Sequence, residues 1–304
     1  MPDSLDINPS SHPPVGKEGL GTYNHFILTR FNLRLWWKED KAHQTIQTAE
    51  WLDERFRLFE RYTWPSLQAQ TCRDFQWICL FDADTDDAHK AIIERYASED
   101  SRFHPVYVKA ADAMRFQDIF RREILRWVNP TVGHLLTTYL DNDDALHCRF
   151  IEDLQQRAGK LNFGTIISYT YGIQYYEEMN LAVRIPYKNN HFLTYYERLK
   201  EKNRTVWGFW HFSIFKYKNL RIELVDDRQC PMWVEVIHAG NVDNDVKMTL
   251  HHKLLTPPLL MRDYGLDITL PGKGHSRRRF LTSFSRRFMG QVIRRGSNKL
   301  KGKK

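Results

Sequence analysis

Residues 134–146 read His134-Leu-Leu-Thr-Thr-Tyr-Leu-Asp141-Asn142-Asp143-Asp144-Ala-Leu146, a short apolar run that stops abruptly in three carboxylates. An earlier stretch does the same: Gln76-Trp-Ile-Cys-Leu-Phe-Asp82-Ala-Asp84-Thr-Asp86-Asp87. Short, continuous apolar runs are what strands buried on both faces require. Working outward, His25 to Phe31 is predicted as a first strand. Trp51 to Gln70 is predicted helical, with Pro65 marking a bend or an end. Ala88 to Ala97 follows as a helix, His104 to Val108 as a strand, Phe116 to Val128 as a helix and His134 to Leu140 as a strand. Strands alternating with helices give an α/β fold with a mixed, mostly parallel central sheet flanked by helices. In such sheets ligands bind outside the carboxyl ends of the strands, where both acidic clusters fall.

The second half is less regular. Arg149 to Arg157 is predicted helical, and aromatic-rich segments at Thr165 to Tyr176, Leu181 to Tyr187, Trp207 to Phe215, Arg221 to Val225 and Trp233 to Ile237 are predicted as partly antiparallel strands. Aromatic side chains fill cores more often than they bind ligands, and as core these need no further explanation.

Composition bounds these readings. With 304 residues, 42% of them apolar, the chain can bury a substantial core. Residues 1–20 are rich in Pro and Ser and lack hydrophobic periodicity, so a flexible lead-in is expected before a catalytic domain over 21–271 and a tail over 272–304. Within the domain, 21–146 and 147–271 are expected to form two halves, the first of which carries both acidic strand ends. The four cysteines, Cys72, Cys79, Cys148 and Cys230, lack metal or disulfide spacing. There is no apolar leader and no run near the roughly 18 residues a span needs, so a cytoplasmic location is expected.

The net charge of +8 suggests a nucleic-acid binder until its distribution is read. Lys273 to Lys304 holds twelve Lys and Arg and no acid, leaving the rest at 8 minus 12, about −4. No nucleic-acid partner is expected on that ground. Phe280, Phe284, Phe288 and Val292 recur every four residues among the tail arginines. A basic amphipathic helix of that kind suits an anionic membrane surface, on the inner face of the plasma membrane in this case.

Carboxylates as close as Asp141, Asp143 and Asp144 repel one another unless a hard divalent cation, Mg²⁺ or Mn²⁺, neutralises them. The alternative is a turn that caps the following helix. Context favours the metal. Ser66 to Asp87, with Gln70-Thr71, Phe75 and the acidic strand end, resembles the opening of the family 2 inverting glycosyltransferases, where "S-x-x-x-Q-T-x-x-x-F" leads to "D-D-G-S-T-D". Tyr96 to His104 is similar to that family's "Y-x-x-x-D-x-R" link, and Leu140 to Leu146 to its "L-D-x-D-D-x-L" metal motif. The whole chain also resembles the rhamnosyltransferase family of bacterial polysaccharide clusters, through Phe26-Ile-Leu-Thr-Arg-Phe-Asn32 and the segment from Pro231-Met-Trp to His238-x-Gly-Asn.

The resemblance implies a glycosyltransferase A-type fold and an enzyme that moves a sugar, such as rhamnose, from a nucleotide-diphosphate donor to a polysaccharide or lipid-linked glycan acceptor. It implies that Asp82 binds the nucleotide base or ribose, that Thr29 and Arg30 line the nucleoside pocket, and that Asp141, Asn142 and Asp143 hold ribose, diphosphate and metal. Asp84 stands where the family has glycine, a departure that leaves its donor-binding role open. His238, closing a strand before a glycine turn, is the implied third metal ligand; otherwise it is a turn histidine. His211, in Trp207-Gly-Phe-Trp-His211, is the implied base of an inverting reaction, with Asp226 and Asp227 as rivals and a packed histidine as the plain alternative. Two other classes compete. Asp82-Ala-Asp84-Thr85 also fits the signature of haloacid-dehalogenase-like Mg²⁺-dependent phosphatases with Asp82 as nucleophile. A non-catalytic membrane or nucleic-acid adaptor would use the acidic turns only as caps.

Overall fold

A computed structural model describes residues 23–35, 47–238, 253–255 and 262–281. The expected lead-in and the tail beyond residue 281, with Phe284, Phe288 and Val292, lie outside the described residues.

Strands β1 (Asn24–Arg30), β2 (Gln76–Asp82), β3 (Phe103–Val108) and β4 (His134–Tyr139) form where the apolar runs predicted them. They pair in parallel in the order β3-β2-β1-β4. Their continuous hydrophobicity has a direct cause: alternate side chains enter different cores. Ile27, Trp77, Cys79 and Phe81 join one apolar cluster, and Phe26, Leu28, Ile78 and Leu80 join another. The first cluster is covered by helices α1 (Ala49–Leu58), α2 (Trp64–Gln68), α3 (Asp87–Glu99) and α5 (Phe150–Ala158). The second is covered by α4 (Phe116–Trp127) and the segment from Val206 to Ile214.

Pro65 falls at a break in the regular α-helix: α1 ends at Leu58, and Pro65 stands in the first turn of α2. A π-turn over Phe59–Thr63 joins α1 to α2, and the Trp64 amide reaches back five residues to the Phe59 carbonyl. Widening the turn before a residue that has no N–H avoids the clash a proline makes in a regular helix.

In the second half, the two-residue strand β5 (Ala145–Leu146) precedes α5, and the aromatic run splits at Thr170 into β6 (Thr165–Tyr169) and β7 (Tyr171–Tyr176), which enter different sheets. Then follow β8 (Leu181–Pro186), β9 (Leu193–Arg198), β10 (Arg221–Val225), β11 (Trp233–Ile237) and β12 (Lys253–Leu254). The large sheet runs β10-β6-β9-β4-β1-β2-β3, and the small one β12-β8-β7-β11-β5. Strand β9, absent from the sequence reading, is antiparallel to both β4 and β6 and completes the large sheet. Strands from either side of residue 146 therefore build one sheet. Trp207 to Phe215, expected as a strand, instead forms 3-10 turns at Val206–Gly208 and His211–Lys216.

Gly172 in β7 lies under the Trp233 indole; a Cβ there would meet three ring atoms at 2.0 to 2.2 Å. The start of the tail is helical from 273 to 281, but Phe280 is buried in the first core and Arg279 donates to the Met179 carbonyl at 2.6 Å. Phe280 thus packs against the domain, a correction to its expected place on a lipid-facing stripe.

Candidate functional site

The carboxyl ends of β1, β2 and β4 place Arg30, Asp82 and Asp141 along one rim of the large sheet. The turn from Asp141 to Asp144 is tied down from both sides. Asn142 Nδ2 donates to the Phe31 carbonyl at 3.0 Å, and β5 pairs antiparallel with β11, bringing Val236 to His238 over the acidic residues. Asp143 and Asp144 do not cap α5: they are 5% and 0% exposed, so the plain reading of this turn as a helix cap fails.

The four residues of the turn then take separate partners. Asp143 accepts from Arg55 Nη1 at 2.8 Å and lies 3.0 Å from His238 Nε2. Burial alone would raise its carboxyl, but the His238 hydrogen bond and the Arg55 charge hold it down at about 2. Asp144 accepts the Val236 amide at 2.9 Å and sits 2.7 Å from His191 Nε2. Burial pushes Asp144 up, the His191 hydrogen bond pulls it down, and the charge of Asp143 pushes it up again, to about 7. Burial lowers His191, but Asp144, with Asp141 and Glu235 behind it, carries it up to about 9. Asp141 is the more open member: it accepts from the Tyr139 hydroxyl at 2.6 Å, and its other oxygen is 3.7 Å from His191 Nε2.

Ligand atoms of Asp141, Asp144 and His191 all lie within 4.8 Å of one another. Two carboxylates and an imidazole are a donor set suited to Mn²⁺ or Mg²⁺. This trio differs from the expected Asp141, Asp143 and His238. The structure does bring Asp143 to His238, but around the guanidinium of Arg55, which already supplies the positive charge a metal would. Asp141 is common to both sets.

The remaining expected residues sort as follows. Thr29 does not line a pocket; it is fully buried, with its hydroxyl accepting from the Trp77 indole at 3.0 Å. Its position on β1 turns it into the first core. Arg30 reaches the rim and stacks 4.1 Å from the Trp207 ring and 4.9 Å from Phe116. Asp82 is buried at the end of β2 and ion-paired with Arg34, which also approaches the exposed Asp84 at 3.4 Å. His211 opens a 3-10 turn with its ring 6.0 Å from that of His191, so it borders the acidic cluster. Asp227 lies in the exposed turn after β10, where its carboxylate accepts the amides of Gln229 and Cys230 at 2.8 and 3.4 Å. That turn role accounts for Asp227 without chemistry.

Sequence reasoning missed His191, Arg55 and the pairing of Asp144 with His191. Arg55 left a signal: it falls three residues after Leu52 and four before Phe59, on the apolar stripe of α1, where a lone cation needs a buried partner. His191 left none, since 47 residues separate it from Asp144.

The model of the family described as "Putative rhamnosyl transferase" matches residues 25–250. No curated protein matches the sequence. Among solved structures, S. aureus TarS 1-349 is similar over 70% of this chain and 60% of its own, at 9% identity and a TM-score of 0.40. The same S. aureus fragment in complex with UDP is similar over the same shares, at 10% identity and a TM-score of 0.40. This chain thus spans less than two thirds of the length of those structures. With most of its length matched by the family model, the chain belongs to the family described as "Putative rhamnosyl transferase".

Proposed function

From that membership we propose that the protein transfers a sugar, rhamnose being the first candidate, from a nucleotide-diphosphate donor to a polysaccharide or lipid-linked glycan, with inversion at the sugar C1. The observation that carries this reading is the convergence of Asp141, Asp144 and His191 at the carboxyl rim of the sheet. A divalent cation held by these three would neutralise the diphosphate as it leaves. Arg55 and His238 fix Asp143, and through it the shape of the turn that presents the ligands. Asp82 and Arg34, at the end of β2, are assigned to the nucleoside, and Arg30 to the rim beside it.

In the proposed reaction His211 takes the proton of the acceptor hydroxyl. The acceptor oxygen forms its bond to C1 as the bond from C1 to the diphosphate oxygen breaks, and the nucleoside diphosphate leaves on the opposite face. Supporting His211 is its place beside His191, next to an exposed aromatic surface that an acceptor can approach. The twelve cationic residues of the tail are assigned to an anionic membrane surface, where lipid-linked acceptors reside. Among the described residues, no helix is long and apolar enough to cross a membrane.

The test is a panel of nucleotide sugars and nucleoside diphosphates with Mn²⁺ or Mg²⁺, read by thermal stabilisation and by nucleoside-diphosphate release in the presence of glycan acceptors. One class of nucleotide should stabilise the wild type in a metal-dependent way, and Asp141→Asn should abolish the effect. Absence of stabilisation by every nucleotide, with and without metal, would end this reading.

A further inference from the structure

Among the described residues only six large hydrophobic side chains are exposed, and three of them, Trp210 at 60%, Phe212 at 48% and Phe215 at 48%, fall within six residues of each other. The concentration is not a fold defect. The same segment is anchored by Phe209 and Ile214, which are buried in the second core, and the Trp210 amide donates to the Tyr217 hydroxyl at 3.0 Å. Along the 3-10 turn His211–Lys216, residues three apart eclipse, so Phe212 and Phe215 share one face. Trp210 extends that face, its ring 6.4 Å from Phe212. A backbone anchored on both sides by buried residues therefore holds three large apolar groups in water, a cost that a bound partner would relieve.

Charge identifies the partner. From Lys202 to Ile222 there are five cationic residues, Lys202, Arg204, Lys216, Lys218 and Arg221, and no acidic one. Lys216 and Lys218 are exposed, and Arg204 stacks 3.9 Å from Phe209 and 5.4 Å from Tyr217, beneath the same turn. Tryptophan and phenylalanine at a tip with cations behind them match the boundary of a bilayer, with rings among the acyl chains and lysines at the headgroups. We propose that the Trp210, Phe212 and Phe215 face docks on an anionic lipid bilayer, a contact made by the folded domain itself and separate from the tail. His211, between Trp210 and Phe212, would then bring the acidic cluster to the lipid surface, where an acceptor carried on lipid presents its sugar.

The experiment uses the full chain with phosphatidylcholine vesicles with and without phosphatidylglycerol, carrying brominated acyl chains that quench tryptophan. The tail reports nothing in this assay, because no tryptophan follows Trp233. With anionic vesicles the wild type should be quenched, and Trp210→Phe should remove most of the quenching while leaving flotation intact. Trp210→Ser combined with Phe212→Ser and Phe215→Ser should lower vesicle partitioning at least tenfold, with an unchanged circular dichroism spectrum showing that the domain still folds. Lys216→Gln with Lys218→Gln should weaken binding to anionic vesicles only. Flotation with no quenching, or quenching that Trp210→Phe leaves untouched, would overturn the proposal. So would absence of vesicle binding, or protection of this face by a soluble oligosaccharide, which would make it a sugar platform instead.

Discussion

The neighbouring carboxylates Asp141 and Asp143 should answer the same substitution in opposite ways. Asp143 is the buried partner of Arg55, with both side chains 7% exposed, so Asp143→Asn leaves a guanidinium facing a neutral amide away from water. Breaking a buried pair in this way costs about 3 to 5 kcal/mol. A carboxyl held at about 2 against an ordinary 3.8 gives an independent lower figure, roughly 2 kcal/mol. A loss of about 2 to 4 kcal/mol in urea unfolding at neutral pH is therefore expected. Asp141→Asn removes a group that is 30% exposed and has Tyr139 as its hydrogen-bond donor, so its stability cost should stay near 1 kcal/mol. Its effect should fall on Mn²⁺ binding, followed by electron paramagnetic resonance titration, with affinity reduced at least tenfold. His191→Gln should join Asp141→Asn in losing metal. If Asp143→Asn unfolds like the wild type and loses Mn²⁺, while His191→Gln keeps it, the assignment of ligands fails and the adjacent trio with His238 takes its place.

Three further outcomes are expected. Thr29→Val keeps the shape of β1 but leaves the Trp77 indole N–H without its acceptor, which should cost about 1 to 3 kcal/mol in urea unfolding and leave nucleotide affinity unchanged; a change in nucleotide affinity would return Thr29 to the pocket. Gly172→Ala forces a methyl into the Trp233 indole, itself stacked on Phe192 at 4.8 Å, and should lose about 3 kcal/mol or fail to fold, whereas a urea midpoint equal to wild type would contradict the packing described. His25 is buried beside Thr138, and burial lowers its imidazole to about 3, so the unfolded chain binds the proton first as pH falls below the unfolded value near 6.5. Its contribution is complete above pH 6.5 and is lost on acidification, amounting to about 2 kcal/mol by pH 5. His25→Gln should flatten that part of the stability profile between pH 7 and 5, and an unaltered slope would show that His25 is not held neutral.

Local pattern in the chain determined the parallel core of the fold. Runs such as Trp77 to Phe81 can satisfy both their apolar faces only in a sheet covered on two sides, so β1 to β4 and their helices were legible from order and periodicity. The acidic strand ends were legible for the same reason, since charge next to such a run has to lie at the rim. Trp207 to Phe215 misled because aromatic density resembles a strand, whereas the 3-10 turns here bury Phe209 and Ile214 and turn Trp210, Phe212 and Phe215 outward. Strand β9 was hidden in a mixed polar and aromatic run, and its place between β4 and β6 is a long-range pairing that no local signal encodes.

Which carboxylate meets which histidine was decided only in three dimensions. Adjacent residues Asp143 and Asp144 diverge, one to Arg55 and His238 and the other to His191, because β11 closes over their turn while the chain entering β9 delivers His191 beside it. A sequence states that negative charge gathers at one point. The side chains that meet it come from α1, the end of β11 and the approach to β9, and their arrangement follows from how the two sheets pack.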